Sequence, residues 1–239
     1  MDTLQQTVTD ALVERLRNEI IRGDLPPGTR LPLRDLAGRY KISTMPVREA
    51  LQLLQVEGLV TGEPRKGVTV TQLSAADLED IYDTRATLEA MATRLAVPKV
   101  SAETIASLEV TEAALEAAHG DVVKIVALNG RFHQLLYAAS GRIHLCSVID
   151  MLRRRTAHYF HAYMTELGKK AEDEHRKIIR ACKRRDADRA AEIMHAHVIR
   201  AGQAVVARHA DGANVHTRSP SSVSSLSQVV GSERQTIPI

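Results

Sequence analysis

Apolar positions along the first seventy residues change period twice, and the changes mark out a compact unit. Leu4 to Arg22 carries a helical rhythm that Gly23 and Pro26-Pro27-Gly28 end. Leu33, Leu36 and Ala37 are spaced for one short helix, with Asp35 in its first turn. Gly38 and Tyr40-Lys41-Ile42 break that rhythm. Ser43 is placed to cap a second helix whose apolar positions are Val47, Ala50, Leu51 and Leu54. Leu59-Val60-Thr61 and Val68-Thr69-Val70 then read as two short strands around the turn Glu63-Pro64-Arg65-Lys66-Gly67. Two helices joined by a turn of this length, followed by a hairpin, predict a winged helix-turn-helix. Its second helix has the width of the major groove of B-DNA, so the pattern predicts DNA binding.

Beyond Thr71 no strand pattern recurs. Helices are predicted from Ser74-Ala75-Ala76-Asp77 to about Val97, from Ser101 to near His119-Gly120, and from Asp121 to Ser140-Gly141. Three more are predicted over Arg142 to Leu167, Lys169 to Arg185 and Asp186 to Ala210. Six consecutive helices imply an all-α bundle. The chain therefore reads as mainly α, with a winged head over 1–72, a helical bundle over 73–210, and a Ser-rich tail over 211–239 expected to be disordered.

Composition changes this picture little. At 239 residues the chain has room for two modest domains, and 44% hydrophobic and 26% charged residues suit packed helices. No apolar run reaches bilayer length, and MDTLQQTVTD lacks the regions of a signal peptide, so a cytoplasmic protein without membrane contact is expected. Cys146 and Cys182 offer no disulfide framework. Net charge is +3 overall; within residues 1–72, ten Lys/Arg against nine Asp/Glu leave +1. Bulk charge thus says nothing of nucleic acid, although Arg34, Arg39, Lys41, Arg48, Arg65 and Lys66 cluster at the helix-turn-helix and wing.

In the bundle the informative feature is polar residues on apolar faces. Asn129 and His133, one turn apart, interrupt the stripe Val122, Ile125, Val126 and Leu136. His175 shares a stripe with Ala171, Ile178 and Cys182, and His197 sits at the edge of Ala187, Ala190, Met194, Val198 and Ala201. Each histidine alone reads as a satisfied core residue. Together they read equally as a divalent-metal site, with Asn129 as an oxygen ligand. Arg85 lies inward with Leu78, Tyr82, Glu89, Ala92 and Ala96, either as a buried pair with Glu89 or as the grip for a carboxylate. His195 points away from the stripe. Arg153-Arg154-Arg155 fans around its helix, so at least one of the three must face the core or a partner, and the run is assigned to solvent and domain contacts.

Residues 4–72 resemble the N-terminal domain of the GntR family of bacterial transcription regulators. The resemblance is carried in order by Ile20-Ile21-Arg22-Gly23-Asp24-Leu25-Pro26-Pro27-Gly28, Leu31, Leu36-Ala37, Ser43, Pro46-Val47-Arg48-Glu49-Ala50-Leu51, Leu54, Glu57-Gly58-Leu59-Val60 and Gly67. Residues 74–210 resemble the FCD ligand-binding domain of the FadR-type subfamily, through Tyr82, Arg85, Leu88, Glu89, Phe132-His133, Glu174-His175, Met194 and His197. The resemblance implies DNA contacts from Arg34, Ser43, Thr44, Met45, Arg48, Lys66 and Gly67. Arg48 is the candidate guanine reader, while Arg34 and Lys66 would hold phosphates. It also implies a divalent metal (zinc, nickel or manganese) on Asn129, His133, His175 and His197, and a small organic acid held by Arg85. Three departures stand out. Asn129 replaces a frequent Asp and removes one negative charge, Thr44 replaces a frequent Arg, and Arg142 replaces a usual Asn.

The expected protein is a homodimeric, nucleoid-associated bacterial regulator, a repressor, that binds a palindromic operator under control of a carboxylate metabolite beside a metal. It is not expected to be an enzyme. Two alternatives remain at this level: the same regulator with a metal-free ligand pocket, and a metal-dependent hydrolase, against which stands the absence of any catalytic motif.

Overall fold

The computed structural model describes residues 3–63, 67–118, 120–160 and 164–216. In the head, α1 (Thr3–Arg22), α2 (Leu33–Tyr40) and α3 (Thr44–Val56) are followed by β1 (Val60–Glu63) and β2 (Gly67–Val70). The strands pair antiparallel with Val60 opposite Val70 and Glu63 opposite Gly67. Leu16, Ile20, Leu36, Val47, Ala50, Leu51, Leu54 and Val70 form one core, so the residues that set the helical rhythm are the ones buried. Lys41 closes α2 in the left-handed region at φ 54°, which lets the chain turn sharply into α3. Ser43 occupies the N-cap of α3, but its side chain makes no capping bond. The second strand of the wing begins at Gly67, whose φ of 87° is one that residues with a Cβ rarely adopt.

The bundle consists of α4 (Ala75–Ala96), α5 (Ala102–Glu116), α6 (Val122–Ala138), α7 (Ile143–Phe160), α8 (Met164–Lys183) and α9 (Ala187–His216), with a 3-10 turn over Val97–Lys99. Its core gathers Leu78, Tyr82, Leu108, Phe132, Leu136, Ile149, Ile178, Met194 and Val198. Ser74 opens α4 with a reciprocal capping box to Asp77, and Ser101 and Asp121 cap α5 and α6. Six helices were expected here and six are present among the described residues. The expected break at Gly168 lies inside α8, and residues 161–163, between α7 and α8, lie outside the described residues. A lone glycine costs a helix only about 1 kcal/mol, which tertiary packing readily offsets. The last helix runs to His216, past the expected end at Ala210, while residues 217–239 of the tail lie outside the described residues. Among the described residues no helix is long and apolar enough to cross a membrane.

Candidate nucleic-acid interface and metal-effector site

The head presents its candidate DNA contacts on one side. Ser43, Thr44, Met45 and Arg48 are all exposed, at the start and on the outer face of α3. The fold places them there because Val47, Ala50 and Leu51 take the buried face. Two acids on the same helix and at its end, Glu49 and Glu57, each bond to a residue other than Arg48. Glu57 is held bidentately by Arg17, at 2.5 and 2.9 Å, and Glu49 accepts from the Thr9 hydroxyl at 2.9 Å. Arg34, Arg48 and Gly67 line one groove of about 690 Å³ between α2, α3 and the wing, together with Arg30 and Gln52. Three separately predicted contacts thus converge, and Arg30 and Gln52 join a set from which sequence reasoning had left them out. Lys66 lies outside the described residues.

In the bundle, three helices bring His133 (α6), His175 (α8) and His197 (α9) together. All three are buried, and a ring nitrogen from each lies within 4.8 Å of the others. Each Nδ1 is already committed: His175 to Glu112 Oε2 at 2.7 Å, His197 to Glu174 Oε2 at 2.9 Å, and His133 to the Tyr137 hydroxyl at 2.9 Å. The Tyr137 hydroxyl donates its proton to Glu89 Oε2 at 2.5 Å, so it accepts from His133 Nδ1–H. That tautomer leaves Nε2 as a lone pair. The Nε2 atoms of His133 and His175 are buried without a partner, an arrangement that costs free energy until something occupies it. Asn129, also buried, sits one turn before His133 on the same face of α6. Imidazoles oriented through Nδ1 by carboxylates are the outer support that metal-binding histidines use. The donor set fits a divalent cation.

The electrostatics agree with that fit. Burial, helped by the positive charge of Arg153, pushes His133 well below the ordinary imidazole range. Burial and the neighbouring His197 do the same to His175. Both rings are therefore neutral near pH 7, the form that coordinates. Glu112 is the exception: burial, with Glu116 and Glu172 adding repulsion, raises its carboxyl to about 8. Near pH 7 it therefore carries a proton into its bond with His175 Nδ1, and coordination through Nε2 requires that proton on the imidazole Nδ1 instead.

Beside the imidazoles lies a buried ionic triple. Arg85 Nε donates to Glu89 Oε1 at 2.8 Å, and its Nη1 donates to the Thr156 hydroxyl at 3.1 Å. Its guanidinium also stacks 4.6 Å over the Tyr82 ring. Arg153 Nη1 donates to the other oxygen of Glu89 at 3.2 Å. Although burial opposes ionisation of Glu89, the two guanidinium groups outweigh it and hold the carboxyl below its ordinary value. Two cations thus share one carboxylate.

The FCD domain family matches residues 80–200, and the family described as bacterial regulatory proteins, gntR family, matches residues 8–70. The chain belongs to the GntR family. The Bacillus subtilis HTH-type transcriptional regulator YdhC is 30% identical over 190 residues, which is 77% of this chain and 84% of that protein. The Escherichia coli HTH-type transcriptional repressor GlaR is 30% identical over 200 residues, 77% of this chain and 89% of that protein. Among solved structures, E. coli McbR/YncC superposes with a TM-score of 0.70 at 27% identity, covering 88% of this chain and all of its own. This GntR regulator is a DNA-binding transcription regulator with a winged head and an FCD bundle, and its family and relatives are regulators and not enzymes.

Within the bundle of this GntR protein, Arg85, Asn129, His133, His175 and His197 all fall in one buried region. Sequence reasoning missed Glu112, Tyr137 and Arg153. Glu112 could have been found, since it lies with Leu108, Thr111 and Leu115 on the buried face of α5. Of the three arginines of which at least one had to face the core or a partner, Arg153 reaches inward to Glu89. Its neighbour Arg154 is exposed, as is His195.

Proposed function

We propose that this GntR regulator is a homodimeric repressor whose operator binding is set by a small organic acid bound beside a divalent metal in the FCD bundle. The carrying observation is the convergence of three imidazoles with Nδ1 tied and two Nε2 atoms left unpartnered in a buried site. His133, His175, His197 and Asn129 would hold zinc, nickel or manganese, and the metal would supply a Lewis-acidic point for an effector oxygen. The excess positive charge of Arg85 and Arg153 over Glu89 favours an anionic effector, and a planar guanidinium suits a carboxylate. A head that reads one half-site needs a second copy to read a palindrome, which supports the dimer. The repressor reading leans on GlaR, which carries that name. Arg34, Ser43, Thr44, Met45, Arg48, Lys66 and Gly67 would contact DNA, with Arg48 on a guanine and Arg34 and Lys66 on phosphates.

Elemental analysis of protein purified without a histidine tag tests the site. About one equivalent of metal is expected in the wild type and little in His175→Ala, with higher affinity in Asn129→Asp because a carboxylate restores a negative charge. Less than about a tenth of an equivalent, with no uptake on titration, would overturn the metal reading. Calorimetry against a panel of small organic acids, with Arg85→Ala as the weakened variant, tests the effector.

A further inference from the structure

Helix α7 contacts the buried ionic triple and the head within seven residues. Arg153 reaches Glu89, and Thr156 accepts from Arg85. Just beyond, His158 and Tyr159 take hold of the segment that joins head to bundle. The His158 Nε2–H donates to the Thr71 carbonyl at 3.1 Å, since a carbonyl only accepts, and the Leu73 amide donates to the Tyr159 hydroxyl at 2.8 Å. His158 and Tyr159 are both buried. Thr71 is itself built into the head: its amide donates to the Leu59 carbonyl at 3.0 Å and its hydroxyl to the Gly58 carbonyl at 2.7 Å. Arg155 packs on that same corner, where a Cβ added at Gly58 would lie 3.5 Å from Arg155 Cβ. Three residues after Thr71 the chain reaches Ser74, the cap of α4, and α4 carries Arg85 and Glu89.

We propose that the stretch Arg153–Tyr159 of α7 transmits occupancy of the effector site to the DNA-binding head by holding or releasing residues 71–73. The inference rests on the reading of Arg85, Glu89 and Arg153 as the effector site. An anionic ligand that accepts from Arg153 competes with Glu89 for the same N–H groups, so its arrival changes the pull on α7. Six residues of α-helix span only about 9 Å, and a helix that short moves as a rigid piece. A shift at Arg153 is therefore delivered to His158 and Tyr159 and not absorbed between them. Arg153 and Thr156 are positioning residues at one end, and His158 and Tyr159 are the grip at the other. Both sites bias one element, which is the physical requirement for coupling.

Hydrogen exchange on the full chain, stripped of metal by a chelator, reads the connection directly through the peptide covering residues 68–74. Tyr159→Phe, which removes the acceptor for the Leu73 amide, defines the full response of a released connection. Arg153→Gln and Thr156→Val, which alter only the far end, are expected to speed exchange in this peptide several-fold, while peptides from α9 stay as protected as in the wild type. Arg154→Gln, an exposed neighbour, is expected to leave it unchanged. Wild-type exchange at 68–74 in both far-end variants, or loss of protection spread evenly through the bundle, would overturn the proposal. Because no metal or organic acid is present, the outcome is separate from the elemental analysis and calorimetry that test the effector reading.

Discussion

Arg48 stands out on α3 because the apolar residues around it claim the other face and because Glu49 and Glu57 are occupied by Thr9 and Arg17. An exposed guanidinium whose neighbours Glu49 and Glu57 bond to other residues has donors to offer a guanine edge. Arg48→Ala is expected to cost about 1–3 kcal/mol on the operator and to relax base preference at one position, whereas Arg34→Ala should weaken binding to all sequences alike and flatten its salt dependence. Gel-shift titrations at two salt concentrations separate the two; equal loss on operator and random DNA for Arg48→Ala would remove it as a reader. His158 makes a different kind of prediction. Burial lowers its imidazole from the ordinary 6.5 to about 4, against a smaller opposite push from the Thr71 carbonyl. Between those values the unfolded chain binds a proton that the folded chain refuses, so stability falls as pH falls through the window and levels off below it. The contribution is about 3 kcal/mol, the worth of some two and a half pKa units. His158→Gln keeps an N–H for Thr71 and removes the titration. Urea unfolding at pH 7 and pH 4 should show a shallower loss in the variant; parallel losses would place the pH dependence elsewhere.

At the scale of elements, the register of α9 on α4 is set by one glycine. A Cβ at Gly202 would sit 2.6 Å from Tyr82 Cβ and 2.7 Å from its Cγ. Tyr82 Cβ is fixed to the α4 backbone, so the contact is relieved only by moving a helix. Alanine in place of glycine gains up to about 1 kcal/mol of helix propensity, whereas overpacking a core costs about 1–3 kcal/mol. The clash is expected to win, and Gly202→Ala should lower the melting temperature; a higher one would mean that the helices separate at little cost. Helix starts were legible where a side chain acts on adjacent backbone, as at Ser74, Ser101 and Asp121. The break expected at Gly168 is absent from α8, because a lone glycine is a weak breaker and helix packing overrides it.

At the scale of the molecule, the head was legible nearly to the residue, since its motif is local and its buried positions are those that set the helical period. The tail leads to the last prediction. Residues 217–239, which lie outside the described residues, are rich in Ser, and that composition is the ground for expecting them to be dispensable. Truncation after His216 should leave melting temperature and operator affinity near wild type, and a clear loss of either would show that the tail matters to fold or assembly. In the bundle the sequence could place Asn129, His133, His175 and His197 on inward faces, because facing depends only on a period of 3.6 residues. It could not say that three histidines from α6, α8 and α9 would bring nitrogens within 4.8 Å of one another, nor that Glu112, Glu174 and Tyr137 would hold them by Nδ1. Nor could it turn Arg153 inward to share Glu89 with Arg85. Periodicity fixes the direction of a side chain about its own helix axis. How far apart two helices lie, and which residues meet across the gap, is decided by how all six pack at once.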